Sequence, residues 1–182
     1  MATELLDVVD TAVKIGLGAL ITGCATYMVN STNNRNDRDK YLLEHKINTL
    51  ETSAGKVDEY FDAWSGLITI VGGISRRMEE AGEPLNVISK ARMNQIKERD
   101  RRLVDSWPSK SQALSRFRLL GAQNVIEAIN KSNKPQRVLR NKVIFDKEIP
   151  SYEEFKAMRS DLNQIKEIVH SEISAFYNDL GA

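Results

Sequence analysis

An all-α protein is predicted, with an N-terminal transmembrane helix followed by a long heptad helix and an up-and-down helical bundle. Three observations predict it. Residues Ile15–Val29 carry no charge. Leu43, Ile47, Leu50, Ala54, Val57, Phe61, Trp64, Ile68 and Val71 follow one another at alternating steps of four and three. No stretch shows the period-two alternation of a strand. The chain is 182 residues long with 41% hydrophobic residues, enough for one modest core beyond an anchor.

The N-terminal element is expected as a membrane anchor over residues 1–32. Fifteen helical residues cover about 22 Å, and extending the segment to Thr11 and Ser31 brings it to about 30 Å, the thickness of a bilayer's hydrocarbon core. Lys14 then lies near one end, where its stem can snorkel. A secretory signal would need a basic start, and Glu4, Asp7 and Asp10 make this one acidic. Ile21-Thr22-Gly23-Cys24 resembles a lipoprotein cleavage box, although the apolar run continues past it. A buried helix of a water-surrounded domain is the third alternative. Arg35, Arg38, Lys40 and Lys46 follow the span, and no Lys or Arg precedes Lys14. The positive-inside rule then puts the C-terminal bulk in the cytoplasm, on a single-pass protein of the inner membrane.

Two faces of the anchor stand out. Ala12/Gly16 and Ala19/Gly23 are small residues four apart, which let helices of neighbouring copies approach. Asp7, Asp10, Thr11, Lys14, Gly18, Thr22 and Thr26 recur at helical spacing and form a polar stripe, costly against lipid but sheltered if a ring of helices turns it toward a pore. The alternative is that the Thr hydroxyls bond their own backbone and the acids lie outside the membrane.

Beyond the anchor, residues 33–182 are expected as a cytoplasmic bundle. The heptad helix is predicted from about Arg35 to Ala81, weakened at Gly72-Gly73 and stopped by Gly82 and Pro84. Tyr60, Leu67 and Ile74 widen its apolar face, and Phe61 and Trp64 are candidates for an interface between copies. A second helix is predicted from Leu85 to about Ser106, ended by Trp107-Pro108. Ser109–Gln112 reads as a capping box opening a third helix that breaks at Gly121 and resumes through Val125, Ile126 and Ile129. Lys131–Pro150 is the least regular stretch, bracketed by prolines, with Val143-Ile144-Phe145 as an apolar anchor. Ser151 and Glu154 form a capping box for a final helix that ends at Gly181.

Charge is segregated. Residues 84–147 hold fifteen Lys and Arg against five Asp and Glu, while the whole chain has a net charge of +1. Lys90, Arg92, Lys97, Arg101, Arg102, Lys134, Arg137, Arg140 and Lys142 are the candidate ligand-binding cations. They would receive a nucleotide or a single-stranded nucleic acid. Anionic lipid headgroups are a second occupant, and pairing with the acidic first and last helices is a third outcome.

Catalysis finds little support. Only His45 and His170 are available, Cys24 is the single cysteine, and there is no HExxH, P-loop or G-x-S-x-G pattern. No cofactor or metal is expected, and the chain is not expected to be an enzyme. Arg38 and His45 match the loose R-x(4–6)-H pattern of HEPN ribonucleases, a resemblance that implies His as acid/base and Arg as phosphate holder.

Taken together, the span, heptad helix and basic bundle resemble single-span effectors of bacterial anti-phage defence. The layout is similar to the channel effector of the Hailong system and to the membrane pore protein that accompanies some RNA-guided CRISPR effectors. This likeness lies in architecture, without a diagnostic motif. It implies a homo-oligomer whose anchors form a pore or ion channel, triggered by a nucleic-acid-type ligand or a partner complex. A membrane-anchored coiled-coil scaffold without conductance is the alternative from another class.

Overall fold

The computed structural model describes the backbone of residues 2–180 and the side chains of residues 37–180. Among the described residues every regular element is helical. In order they are α1 (Ala2–Glu80), α2 (Lys90–Asp105), α3 (Trp107–Leu120), α4 (Gln123–Asn130), α5 (Asn133–Arg140), a π-helical turn (Asn141–Phe145) and α6 (Tyr152–Leu180). The chain divides into two compact units, residues 1–45 and 46–182. The side chains of the expected anchor, including the stripe Asp7, Asp10, Thr11, Lys14, Gly18, Thr22 and Thr26 and the small residues Ala12, Gly16, Ala19 and Gly23, lie outside the described residues. Among the described residues no helix is long and apolar enough to cross a membrane.

The second unit is built on the heptad seam. Leu50, Val57, Phe61, Trp64, Ile68 and Val71 are buried, as are Tyr60, Leu67 and Ile74 of the second line. They pack with Ile96 and Leu103 of α2, Phe117 of α3, Val125 and Ile129 of α4, and Leu162 and Val169 of α6 in one core. The seam therefore packs within one chain over this stretch. Phe61 and Trp64, expected at an interface between copies, are core residues at 0% and 1% exposure, so their surface is already spent.

Gly72-Gly73 does not weaken α1, which runs on to Glu80. A Cβ on Gly72 would lie 2.1 Å from the Phe155 ring of α6, so this glycine is where the last helix lays an aromatic ring against the first. The helix ends as expected, with Gly82 at φ 66°.

The second helix starts later than predicted. Residues 84–89 are a loop with a turn at Leu85 and Asn86, and the Leu85 carbonyl accepts from Ile149 N–H at 2.9 Å, which ties this loop to the segment before α6. Ser89 then caps α2, its hydroxyl accepting from Arg92 N–H at 3.3 Å. The third helix starts earlier than predicted. Pro108 sits in the first turn of α3, where its missing N–H leaves no bond unmade, so Ser109 is inside the helix and caps nothing. The break at Gly121 holds, with φ 81°. Lys131–Pro150, expected to be irregular, contains α5 and the π turn. Pro135 lies in the first turn of α5, and Leu139 and Val143 are buried while Phe145 stays 65% exposed. The Ser151–Glu154 capping box forms as predicted. Glu154 N–H donates to Ser151 Oγ at 3.2 Å, and Ser151 N–H donates to the Glu154 carboxylate at 2.8 Å.

A cationic cavity around Lys110

Lys110 falls on the inward stripe of α3 with Ala113 and Phe117, and it is 7% exposed. Its ammonium donates to Ser132 Oγ at 2.9 Å and to Asn133 Oδ1 at 2.7 Å, and lies 4.1 Å from the centroid of the Tyr60 ring. All of these partners are neutral. Burial without a carboxylate pushes the Lys110 pKa down to about 8. The Tyr60 hydroxyl is 2.9 Å from Ser132 Oγ and donates to Gln136 Oε1 at 2.8 Å. Burial raises its pKa to about 12. Ser132 in turn donates to the Ile129 carbonyl at 2.6 Å. α1, α3, α4 and α5 thus meet at one polar knot inside an apolar core.

A cavity of about 420 Å³ opens beside this knot. Trp107, Lys110 and Ser111 come from α3, Arg137 and Arg140 from α5, and Asn141 from the π turn. Three asparagines and Gln136 supply amide donors and acceptors, and no carboxylate is among the lining residues. Lys110 lies in the first turn of α3 and its two hydrogen-bond partners stand at the start of α5, while Asn130 ends α4 and Arg137 and Arg140 lie in the last turn of α5, so poles of both signs meet at the cavity. Among the described residues Lys110 is held by neutral partners alone, without a carboxylate.

Arg140 forms the wall toward α2. Its guanidinium grips Asp100 through both oxygens, at 2.6 and 3.0 Å, and its carbon lies 4.9 Å from the Trp107 ring centroid. Hydrogen bonding to Asp100 raises the Arg140 pKa. Arg137 is exposed and makes no ion pair among the described residues, so its charge faces solvent and the cavity mouth.

The predicted ligand-binding cations are mostly dispersed. Arg92 pairs bidentately with Glu83, which lowers the Glu83 pKa. Arg102 pairs with Glu98 at 2.9 Å, Arg101 approaches Asp105 at 3.9 Å, and Lys142 holds Glu154 at 2.7 Å. Lys90 and Lys97 are exposed, and Lys134 edges a separate groove between α5 and α6. Only Arg137 and Arg140 of the predicted set line the cavity. Lys110 was not among the candidates. Its signal in the sequence is a lysine in register with the buried Ala113 and Phe117, which the adjacent serines disguised as a capping box.

Arg38 and His45 are exposed on α1 and do not line this cavity. Among the described residues no group of three or more His, Cys, Asp or Glu could hold a metal ion. Among the described residues the fold and site define an all-helical bundle with a cavity lined by a buried lysine and two arginines. Compared with known proteins, the chain matches no family model, no curated protein and no solved structure.

Proposed function

We propose that this chain is a membrane-anchored homo-oligomeric effector whose helical bundle receives an anionic ligand and thereby gates a pore or ion channel formed by the N-terminal segments. The observation that carries the ligand half is the cavity itself: three cationic side chains, one of them buried on neutral partners, and no carboxylate in the lining. The membrane half rests on the uncharged run Ile15–Val29, the small residues four apart and the basic residues that follow. A nucleotide or the end of a nucleic-acid strand has the charge and size to enter a cavity of this kind. A role in anti-phage defence is what the likeness to single-span defence effectors adds.

The coupling has a physical requirement. A ligand shifts a conformational equilibrium only by its difference in affinity for the two states. Four helices converge on the Lys110 knot, so an anion drawn to it would bear on the α3–α5 packing and on Tyr60 of α1.

From Leu50 onward the seam is buried inside the chain, so neither the effector nor the scaffold reading can use that stretch to join copies. Reconstitution into liposomes tests the proposal. Ion flux should change on adding a nucleotide, and Lys110→Met should abolish that response while leaving the protein in the membrane. A membrane-inserted protein that passes no ions under any anion would return the scaffold to favour. Cleaved RNA that becomes intact with His45→Ala would establish the ribonuclease instead.

A further inference from the structure

We infer that the ligand of the Lys110 cavity is a nucleoside monophosphate, with its one phosphate on Arg137 and a carbonyl-bearing base between Trp107 and the amides of Gln136 and Asn130. The inference rests on the anion-receptor reading of the same cavity and goes beyond it by fixing the charge and the shape of the ligand.

Charge limits the ligand to a single phosphate. Of the three cations in the lining, two are already engaged. The Lys110 ammonium donates to Ser132 and Asn133 and lies over the Tyr60 ring. The Arg140 fork is closed on both oxygens of Asp100. Arg137 is the lining cation with no ion pair among the described residues, and its guanidinium has the donors to grip one phosphate. A triphosphate would bring further charges with no cation left to meet them.

The amides set the hydrogen-bond character of the rest. Gln136 Oε1 accepts from the Tyr60 hydroxyl, Asn133 Oδ1 from Lys110, and Asn130 Oδ1 from the Asn133 amide at 3.3 Å. The Asn133 amide is thereby used at both ends. Gln136 Nε2 and Asn130 Nδ2 make no hydrogen bond among the described residues. Gln136 is only 7% exposed, so its amide nitrogen has little access to bulk water and lines the cavity without a partner. Two unused donors call for a ligand with acceptors, and the ring carbonyls of a base are such acceptors.

The wall beside them is flat. Trp107 is 39% exposed, and Asp100 fixes the Arg140 guanidinium 4.9 Å from its ring centroid. An indole and a held guanidinium are both surfaces on which a base stacks. A cavity of about 420 Å³ is near the small end of ligand pockets, which suits one nucleotide.

Calorimetric titration of the full-length protein in detergent tests the inference. The probes are uridine monophosphate, uridine triphosphate, ribose 5-phosphate and inorganic phosphate. Uracil offers two carbonyls, and ribose 5-phosphate keeps the phosphate without a base. Uridine monophosphate should bind about tenfold more tightly than ribose 5-phosphate, and the triphosphate no more tightly than the monophosphate. Gln136→Glu keeps an acceptor for Tyr60 but turns the free donor into an acceptor. It should cut the preference for uridine monophosphate over ribose 5-phosphate by about tenfold, a ratio in which the added charge cancels. Asn130→Asp, at an exposed position, should lower the same ratio should the buried change unfold the protein. Ribose 5-phosphate binding as tightly as uridine monophosphate, or the triphosphate binding about tenfold more tightly, overturns the inference and leaves the anion receptor standing. No binding of any of the four probes removes the anion-receptor reading as well.

Discussion

At the residue scale the strongest consequence of the structure is a pH dependence of stability. Lys110 has a folded-state pKa near 8 against an ordinary 10.5. Between these values the unfolded chain binds a proton that the folded chain has released, so stability rises with pH across that window. Below it, holding the ammonium in the core costs on the order of 3 kcal/mol. Tyr60 acts in the opposite sense. Its pKa rises from 10.0 to about 12, so the unfolded chain loses a proton first and stability falls as pH climbs through that range. Urea unfolding of wild type and Lys110→Met should therefore converge in favour of wild type between pH 7 and 10.5, by about 3 kcal/mol. Tyr60→Phe should remove the loss at higher pH. A difference that does not vary with pH would show that Lys110 is already well satisfied as a cation. The neighbouring glycines make a second residue-scale test. Gly72→Ala drives a methyl into Phe155 and should cost about 1–3 kcal/mol. Gly73→Ala meets nothing within 4 Å and should stabilise by about 0.5–1 kcal/mol. Paired thermal melts decide between them.

At the element scale, α2 and α5 are joined through Asp100 and Arg140, whose side chains are 12% and 19% exposed. Asp100→Asn should destabilise the bundle by about 2 kcal/mol because it strands a partly buried guanidinium. It should also tighten phosphate binding, since the fork of Arg140 would then be free for the ligand. Loss of stability together with tighter binding, read by chemical unfolding and calorimetry, distinguishes this from general damage, which would weaken both. The elements differ in how legible they were. The heptad helix, the glycine stop after α3 and the Ser151–Glu154 box were readable because each is a local pattern whose chemistry acts within one or two turns. The start of α2 was not readable, because the Leu85 carbonyl is taken by Ile149 from a distant segment. Nor was α5, where Pro135 reads as a breaker unless its place in the first turn is known. Lys110 was missed for a related reason. What makes it unusual is its set of partners, Tyr60, Ser132 and Asn133, which only the packing of four helices brings together.

At the scale of the whole molecule, the proposed function joins an apolar N-terminal segment to a bundle read as an anion receptor. The charge excess of residues 84–147 was visible in the sequence, but its use was not. Five of the fifteen pair with nearby acids, and Lys110, Arg137 and Arg140 line one cavity. Membrane association follows from the other half of the chain. After high-salt and alkaline washing the full-length protein should remain in the membrane pellet, whereas residues 46–182 alone should be released. Ion flux through liposomes carrying the full-length protein, measured across a nucleotide titration beside Lys110→Met, addresses the central claim most directly. The account predicts a saturable change in flux for wild type and none for the variant. Flux that responds equally in both, or in neither despite insertion, would contradict it.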